Sequence, residues 1–431
     1  MLDIKFIKEN PNIVKDSCKK RGVKCDIDKL LKLDKEKREI QTKLEQISAQ
    51  KNKASKEIAR TENKKEIISK MRKIDKKGDK LKKEFRKIEE NLKELLLKVP
   101  NILMPDVPEG KNELENKVLK KAGRPTKFNF KPKDHVELGE KLGIIDIKNA
   151  AKISGTRFAY LKGKLALLEF AIVRYVFDVL TNPKIIKKIA GPKKVSAKTF
   201  IPVVPPVIIK PDVYIKMARL SEEDKDEKYY LPKDDVYLVG SAEHTLGPLH
   251  MDEIIPEKNL PIRYIGFSTS FRREAGSYGK DTRGILRVHQ FDKLEMESFT
   301  TKDDSLKEQN FIIALQEYLV KSLKIPYQLV ILCTGDMGNP DARQIDLECW
   351  IPSQNKYRET HTSDLMLDYQ SRRLNTRVKR RDGIEFVHMN DATAFAIGRI
   401  IIAIIENYQQ KDGSIKIPEV LQKYTGFKEI K

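Results

Sequence analysis

Residues Phe271–Glu297 read FRREAGSYGKDTRGILRVHQFDKLEME. The run before it, Pro261–Ser270 (PIRYIGFSTS), and its second half, Ile285–Glu297, alternate apolar and polar side chains, the period of a half-buried strand. Gly, Ser, Lys, Asp and Arg fill the space between them, so the stretch predicts a hairpin with a pliant tip. Arg272, Arg273, Lys280, Arg283 and Arg287 would gather positive charge where a triphosphate fits. Arginine suits that task because its planar fork grips phosphate or carboxylate through two hydrogen bonds. Glu274, Glu295 and Glu297 interleave acids that would receive an amine or an exocyclic amino group. The plain alternative is a charged, solvated hairpin.

Working outward, Asp235–Gly240 (DVYLVG), Tyr327–Cys333 (YQLVILC) and Gln344–Ile351 (QIDLECWI) also read as strands. The last alternates apolar and acidic residues, as a sheet face lining a site would. Ala392–Tyr408 reads as a helix with a long apolar face, and Leu165–Leu180 as a buried helix. KTFIPVVPPVIIK (198–210) is β-branched but broken by Pro202, Pro205 and Pro206, which restricts it to a sheet edge or bulge. Mostly antiparallel strands with helices around them predict an α+β domain. No GxGxxG or P-loop is present, so a nucleotide would not be held in the Rossmann or Walker manner.

The first hundred residues differ in kind. They hold 31 Lys and Arg against 18 Asp and Glu, which supplies +13 of the chain's net +22. Two series step by three and four residues: Leu30, Leu33, Lys37, Ile40, Leu44, Ile47, Lys51, Ala54, Ile58, and Ile67, Met71, Ile74, Gly78, Leu81, Phe85, Ile88, Leu92, Leu95, Val99. This 3.5-residue period predicts a two-stranded antiparallel coiled coil over about 27–99, turning at Arg60–Lys65 and weakened at Lys37, Lys51 and Gly78. Lysines including Lys64, Lys65, Lys73 and Lys77 lie off the seam, without aromatic neighbours, as suits contact with a phosphate backbone. A dimerisation or spacer rod is the plain alternative. The division expected is 1–100 for the armed domain, 101–130 for a linker and 131–431 for the second domain.

At 431 residues there is room for two domains, and the excess of positive charge points to a polyanion such as nucleic acid. Cys18, Cys25, Cys333 and Cys349 form no CxxC pair, which argues against a zinc site or a disulfide framework. The start, MLDIKFIKENP, lacks an apolar leader core, and no run approaches the roughly 20 apolar residues of a membrane span. A cytoplasmic protein is expected.

The wording FR-x-EAGSYG-x-DTRG-x-x-R-x-HQF-x-K-x-E resembles the motif 2 hairpin of class II aminoacyl-tRNA synthetases, in the form found in bacterial-type seryl-tRNA synthetases. The phrases G-x-RF-x-x-L-x-G near Gly155, DYQSRR at Asp368–Arg373 and DATAFAIGR at Asp391–Arg399 extend the resemblance over nearly the whole chain. It implies a class II catalytic domain built on an antiparallel sheet, a tRNA-binding arm, ATP with Mg²⁺, and a homodimer that binds tRNA(Ser) across subunits. Pro205 or Pro206 would then lie at the dimer interface.

By the same resemblance Arg272, with Arg273 beside it, would hold the α-phosphate, Glu274 the adenine amino group, and Phe291 the adenine ring. Arg399 would meet the terminal phosphate, and Glu359 and Thr362 would carry Mg²⁺. Thr360 and His361 lie between those two in the ATP-binding run; His361 replaces the usual serine and is read as structural. Serine would be held by Ser241, Glu243, Glu295, Asp391 and Thr393. Ser241 stands where the family has Thr, and Asp391 where it has Asn. Lys280 and Arg283 would meet the tRNA acceptor end, and Lys64, Lys65, Lys73 and Lys77 its body. Two functions stay open: a serine–tRNA ligase, or a synthetase-like paralogue that binds nucleic acid or protein without aminoacylation.

Overall fold

The computed structural model describes residues 1–58, 64–221, 224–275 and 283–431; of 57, 58 and 64–68 only the helical backbone is described. The turn expected within Arg60–Lys65, Lys280 and the side chains of Lys64 and Lys65 fall outside these limits. The chain divides into two compact units, Met1–Ile102 and Leu103–Lys431.

In the first unit, helices Ile4–Glu9 and Pro11–Lys20 precede two long ones, α1 (Ile27–Ile58) and α2 (Lys64–Lys98). At 1.5 Å per residue these run about 48 and 53 Å. They pack together with Leu30, Ile40, Ile47 and Leu92 buried between them, while Lys73 and Lys77 face solvent. The three weak seam positions are accommodated by the facing helix. Lys37 meets Glu89 at 2.7 Å and lies 5.4 Å from the Phe85 ring centre. Lys51 is paired with Asp75 and runs beside Gly78, whose missing side chain leaves space next to Ile47.

The second unit contains β1 (Lys117–Ala122), α3 (Lys164–Leu180), β2 (Ile201–Val203), β3 (Ile262–Phe271), β4 (Gln290–Thr300), α4 (Ser305–Ser322), β5 (Tyr327–Ile331), β6 (Arg343–Ile351), β7 (Lys356–Leu367), β8 (His388–Ala396) and α5 (Ile397–Tyr408). Among the described residues these eight strands form one sheet in the order β1-β5-β6-β7-β8-β4-β3-β2. Every pairing is antiparallel except β2 with β3. This is the expected α+β arrangement, a mostly antiparallel sheet with helices packed on it. Alternation decides the two faces of β4: Leu294 and Met296 enter the main core, with Ile172 and Val176 of α3, Phe311 and Leu315 of α4 and Ile401 of α5. Phe291, Lys293 and Glu295 project from the opposite face into the cleft.

Three expectations are corrected. The 101–130 stretch is not all linker, because Lys117–Ala122 pairs with β5 as the edge strand of the sheet. The helix expected from Ala392 begins at Ile397. Residues His388–Ala396 lie in the middle of the sheet between β4 and β7, and a strand buried on both faces has an apolar run indistinguishable by period from a buried helix. The second arm of the hairpin begins at Gln290 rather than Ile285. There Gly284 has φ +86°, His135 fills the space a side chain would need, and the Ile285 amide donates to His135 Nε2 at 3.3 Å. The proline-broken segment supplies β2, with Pro202 inside this short edge strand.

Candidate active site

The free face of the sheet opens into a cleft of about 260 Å³ lined by β4, β6, β7 and β8, the start of α5 and both ends of the hairpin loop. Two β-bulges decide which side chains enter it. Glu359 is opposite Glu348 but His361 is opposite Leu347, so Thr360 is an extra residue on β7. The bulge puts Glu359 and Thr362 into the same cleft and turns His361 into the core. On β8, Thr393 is opposite Glu295 and Phe395 opposite Leu294, leaving Ala394 extra. Thr393 therefore lines the cleft while Phe395 is buried, with its ring edge-on to His361 at 5.1 Å.

One end of the cleft is cationic and aromatic. Arg272 Nε donates to the Gly240 carbonyl at 3.2 Å, and its guanidinium lies 5.4 Å from the Phe291 ring centre. Glu274, with φ +53°, reaches Arg287 at 3.4 Å. Arg399, at the start of α5, meets Glu359 Oε1 at 2.9 Å and donates to its carbonyl at 3.1 Å. Burial alone would raise the Glu359 carboxyl, but Arg399 and then Arg272 outweigh it and hold it below the usual range. Close by, burial and then Glu359 and Glu348 push Asp346 well above that range, and its Oδ1 has no hydrogen-bond partner. Glu359 and Thr362 line the cleft here and present hard oxygen donors of the kind a divalent cation prefers.

The other end is buried and acidic. The short strand Val236–Leu238 feeds Gly240–Glu243, which delivers Glu243 to the floor. The Gly240 amide donates to His244 Nδ1 at 3.1 Å, so the ring proton sits on Nε2, 3.3 Å from Glu243 Oε1. Burial lowers His244 to about 4, leaving it neutral at pH 7. Ser241 is sealed beneath the cleft, where it donates to Glu295 at 3.2 Å and accepts from Lys293 at 3.1 Å. It touches the carboxylate expected to bind serine instead of lining the pocket. Asp391 is opposite Glu297 on one neighbouring strand and Asp364 on the other. Burial raises all three well above the usual carboxylate range, and both Glu297 oxygens lack hydrogen-bond partners.

Of the expected residues, the cleft brings together Arg272, Glu274, Phe291, Glu295, Glu243, Glu359, Thr360, Thr362, Asp391, Thr393 and Arg399. Two expected contacts are displaced: Ser241, as described, and Arg273, which is exposed, with its backbone on Glu227, and lines a surface hollow with Tyr229. His361, which lies outside the cleft lining, takes the structural place read for it: it is wholly buried, lowered by burial to about 3, and hydrogen-bonds to Thr360 at 2.7 Å. Arg283 is exposed and lies 3.4 Å from Asp134.

Arg287, one of the hairpin cations expected near a triphosphate, also lines the cleft, whereas sequence reasoning missed Lys293, Asp364 and Arg219, which line it too. Lys293 was findable from the period of two that links Phe291 to Glu295. Arg219 follows the helix Pro211–Lys216 in an aperiodic segment and carries no comparable signal.

Comparison with known proteins identifies the relatives of this chain. Residues 1–103 match the seryl-tRNA synthetase N-terminal domain, and residues 227–408 match the tRNA synthetase class II core domain (G, H, P, S and T). The chain is 38% identical to the serine–tRNA ligase of Thermodesulfovibrio yellowstonii over the full length of both. It is 40% identical to that of Dictyoglomus thermophilum, covering 100% of this chain and 99% of the relative. The crystal structure of Pyrococcus horikoshii seryl-tRNA synthetase complexed with ATP superimposes with a TM-score of 0.90 at 38% identity, covering 100% of this chain and 99% of that one.

Proposed function

This chain belongs to the seryl-tRNA synthetase family, and from that membership we propose the reaction its cleft performs: ATP-dependent ligation of L-serine to the 3′ end of tRNA(Ser) through a seryl-adenylate. The observation that carries the assignment is the polarity of the cleft. A cationic, aromatic end suits a nucleoside triphosphate, and a small buried acidic end suits an amino acid's ammonium and hydroxyl groups.

ATP lies with its adenine on Phe291 and its exocyclic amino group toward Glu274. Arg272 takes the α-phosphate and Arg399 the terminal phosphate. Serine enters the acidic end, with its ammonium toward Glu243 and Asp391 and its hydroxyl toward Glu295 and Thr393. The serine carboxylate attacks the α-phosphorus, the bond to the bridging oxygen breaks, and pyrophosphate leaves. Arg272 and Arg399 offset the charge that develops on the phosphates. Glu359 and Thr362, with Asp346 behind them, would hold Mg²⁺, which supplies further neutralisation of phosphate charge when bound. The terminal ribose hydroxyl of the tRNA then attacks the seryl carbonyl, and AMP departs. No covalent enzyme intermediate is needed, and the two histidines at the amino-acid end and on β7 are held neutral by burial.

A pocket built to hydrogen-bond a hydroxyl disfavours alanine, because its polar groups would be left unpaired. The arm contributes phosphate contacts to the tRNA body through Lys73 and Lys77, with Lys64, Lys65, Lys280 and Arg283 as further contacts. The working form is a cytoplasmic homodimer with tRNA spanning two subunits. Support comes from full-length similarity to serine–tRNA ligases and from four cysteines that are all free; no helix among the described residues is long and apolar enough to cross a membrane. Charging of tRNA(Ser) with labelled serine tests the reading. Ester-linked seryl-tRNA dependent on ATP is the expected product, and its absence from folded protein would favour the binding paralogue.

A further inference from the structure

The amino-acid end of the cleft holds more acid than one ammonium and one hydroxyl require. Glu243, Glu295 and Asp391 each bring an oxygen within 4.8 Å of the others, and all three side chains are buried. Such a convergence ordinarily calls for a cation, and here the protein supplies two. Lys293 is committed to Glu295 and Ser241. The second is Arg219, which leaves its own loop just after Ala218, itself at φ +57°. Its Nε lies 2.9 Å from Glu243, and its Nη2 lies 3.1 Å from Asp391, 3.4 Å from Asp364 and 3.7 Å from Asp341. One guanidinium thus joins carboxylates from four separate segments. It lines the cleft beside the groups assigned to the substrate ammonium, and the ATP end is served by other arginines.

We propose that Arg219 is a positioning residue of the amino-acid site: it neutralises the surplus acid introduced by Asp391 and fixes Glu243 and Asp391 in the geometry that receives the ammonium. This rests on the functional reading above. Nε lies within ion-pair distance of Glu243 without a hydrogen bond, while Nη2 donates to Asp391 and Asp364, so the breadth of the guanidinium sets charge beside carboxylates on both sides, which a compact ammonium cannot do. Burial alone would raise the Glu243 carboxyl, and Arg219 is the first of the groups that hold it well below the usual range, so without the guanidinium the pocket would lose its ordered, charged acceptor. The pair is one unit. Asp391 needs the guanidinium, and a neutral amide at 391 would need it much less.

The test uses serine-dependent ATP–pyrophosphate exchange by the full-length protein, with KM measured separately for serine and ATP. Arg219→Met should raise the serine KM at least tenfold while the ATP KM stays within about twofold. Adding Asp391→Asn to that variant should recover much of the loss, so that the double variant outperforms the product of the two single effects. Arg219→Lys should fold if Arg219→Met does not, and should show a several-fold rise in serine KM that Asp391→Asn again reduces. An unmoved serine KM, an equal rise in both KM values, or purely multiplicative effects in the double variant would overturn the proposal. If the unaltered protein shows no serine-dependent exchange, the functional reading fails and takes this inference with it; exchange that ignores Arg219 removes this inference alone.

Discussion

The arm and the cleft both place cations among other side chains, and they do so under opposite rules. In the arm, Lys37 and Lys51 sit at seam positions, yet each finds its acid on the facing helix, at Glu89 and Asp75. The lysines off the seam stay in water, where charge is cheap to keep. In the cleft, Arg219 is drawn from an irregular loop into a buried group of acids contributed by four segments. A local repeat organises the first region, and sheet topology organises the second. The difference matches the proposed roles: a surface that would attract a polyanion and a pocket that would hold a small zwitterion in one pose.

If the two regions divide labour in this way, replacing residues 30–99 by a short linker should abolish tRNA charging while serine-dependent exchange stays within about twofold. Cys25 Sγ donates to the Lys98 carbonyl at 3.2 Å, so the ends to be joined already lie close together. Loss of exchange in a folded protein would break the division. Arg399→Ala reverses the test: it should lower exchange by about 10²- to 10³-fold, the scale of losing one preorganised charge-stabilising donor. Tight binding of tRNA should survive it, as a filter-binding assay would show.

Smaller changes sharpen the same contrast. A methyl group on Gly78 would meet Ile47 at 3.5 Å and the Lys51 amine at 4.0 Å, which is ordinary contact. Gly78→Ala should therefore stabilise the arm by about 0.5–1 kcal/mol through helix propensity, read as a later helical melting transition by circular dichroism. Destabilisation would mean that the seam needs the gap beside Lys51. A pH-dependent effect lies at Glu169, where burial and then Asp292 raise the carboxyl to about 8. The folded state holds this proton that the unfolded chain gives up near 4.5, so its contribution is complete below 4.5 and is lost as pH rises through about 8. Glu169→Gln should leave Tm nearly unchanged at pH 4 and raise it at pH 9.5; equal shifts at both values would contradict the raised carboxyl.

These regions also differ in how far the sequence discloses them. Within the described residues, seam positions such as Leu30, Ile40, Ile47 and Leu92 were legible because burial in a two-helix rod repeats at the heptad spacing. On β4, Phe291 and Glu295 could be assigned to one face because a strand repeats every two residues. The reading failed where local period and tertiary context part company. Ala392–Ala396 looks helical because a central strand is buried on both faces, and the segment before Gln290 is held at Ile285 by a hydrogen bond to His135 instead of joining the sheet. The bulges at Thr360 and Ala394 are single extra residues, visible only against the strands they face. Arg219 was beyond reach for the strongest reason: its four partners are joined to it by the fold alone.

The most direct test of the account is ATP–pyrophosphate exchange by the intact protein with serine, threonine, alanine and glycine in parallel. The cleft as described predicts robust exchange with serine and little with the other three. Exchange with none of them, from folded protein able to bind ATP, would contradict an active serine–tRNA ligase.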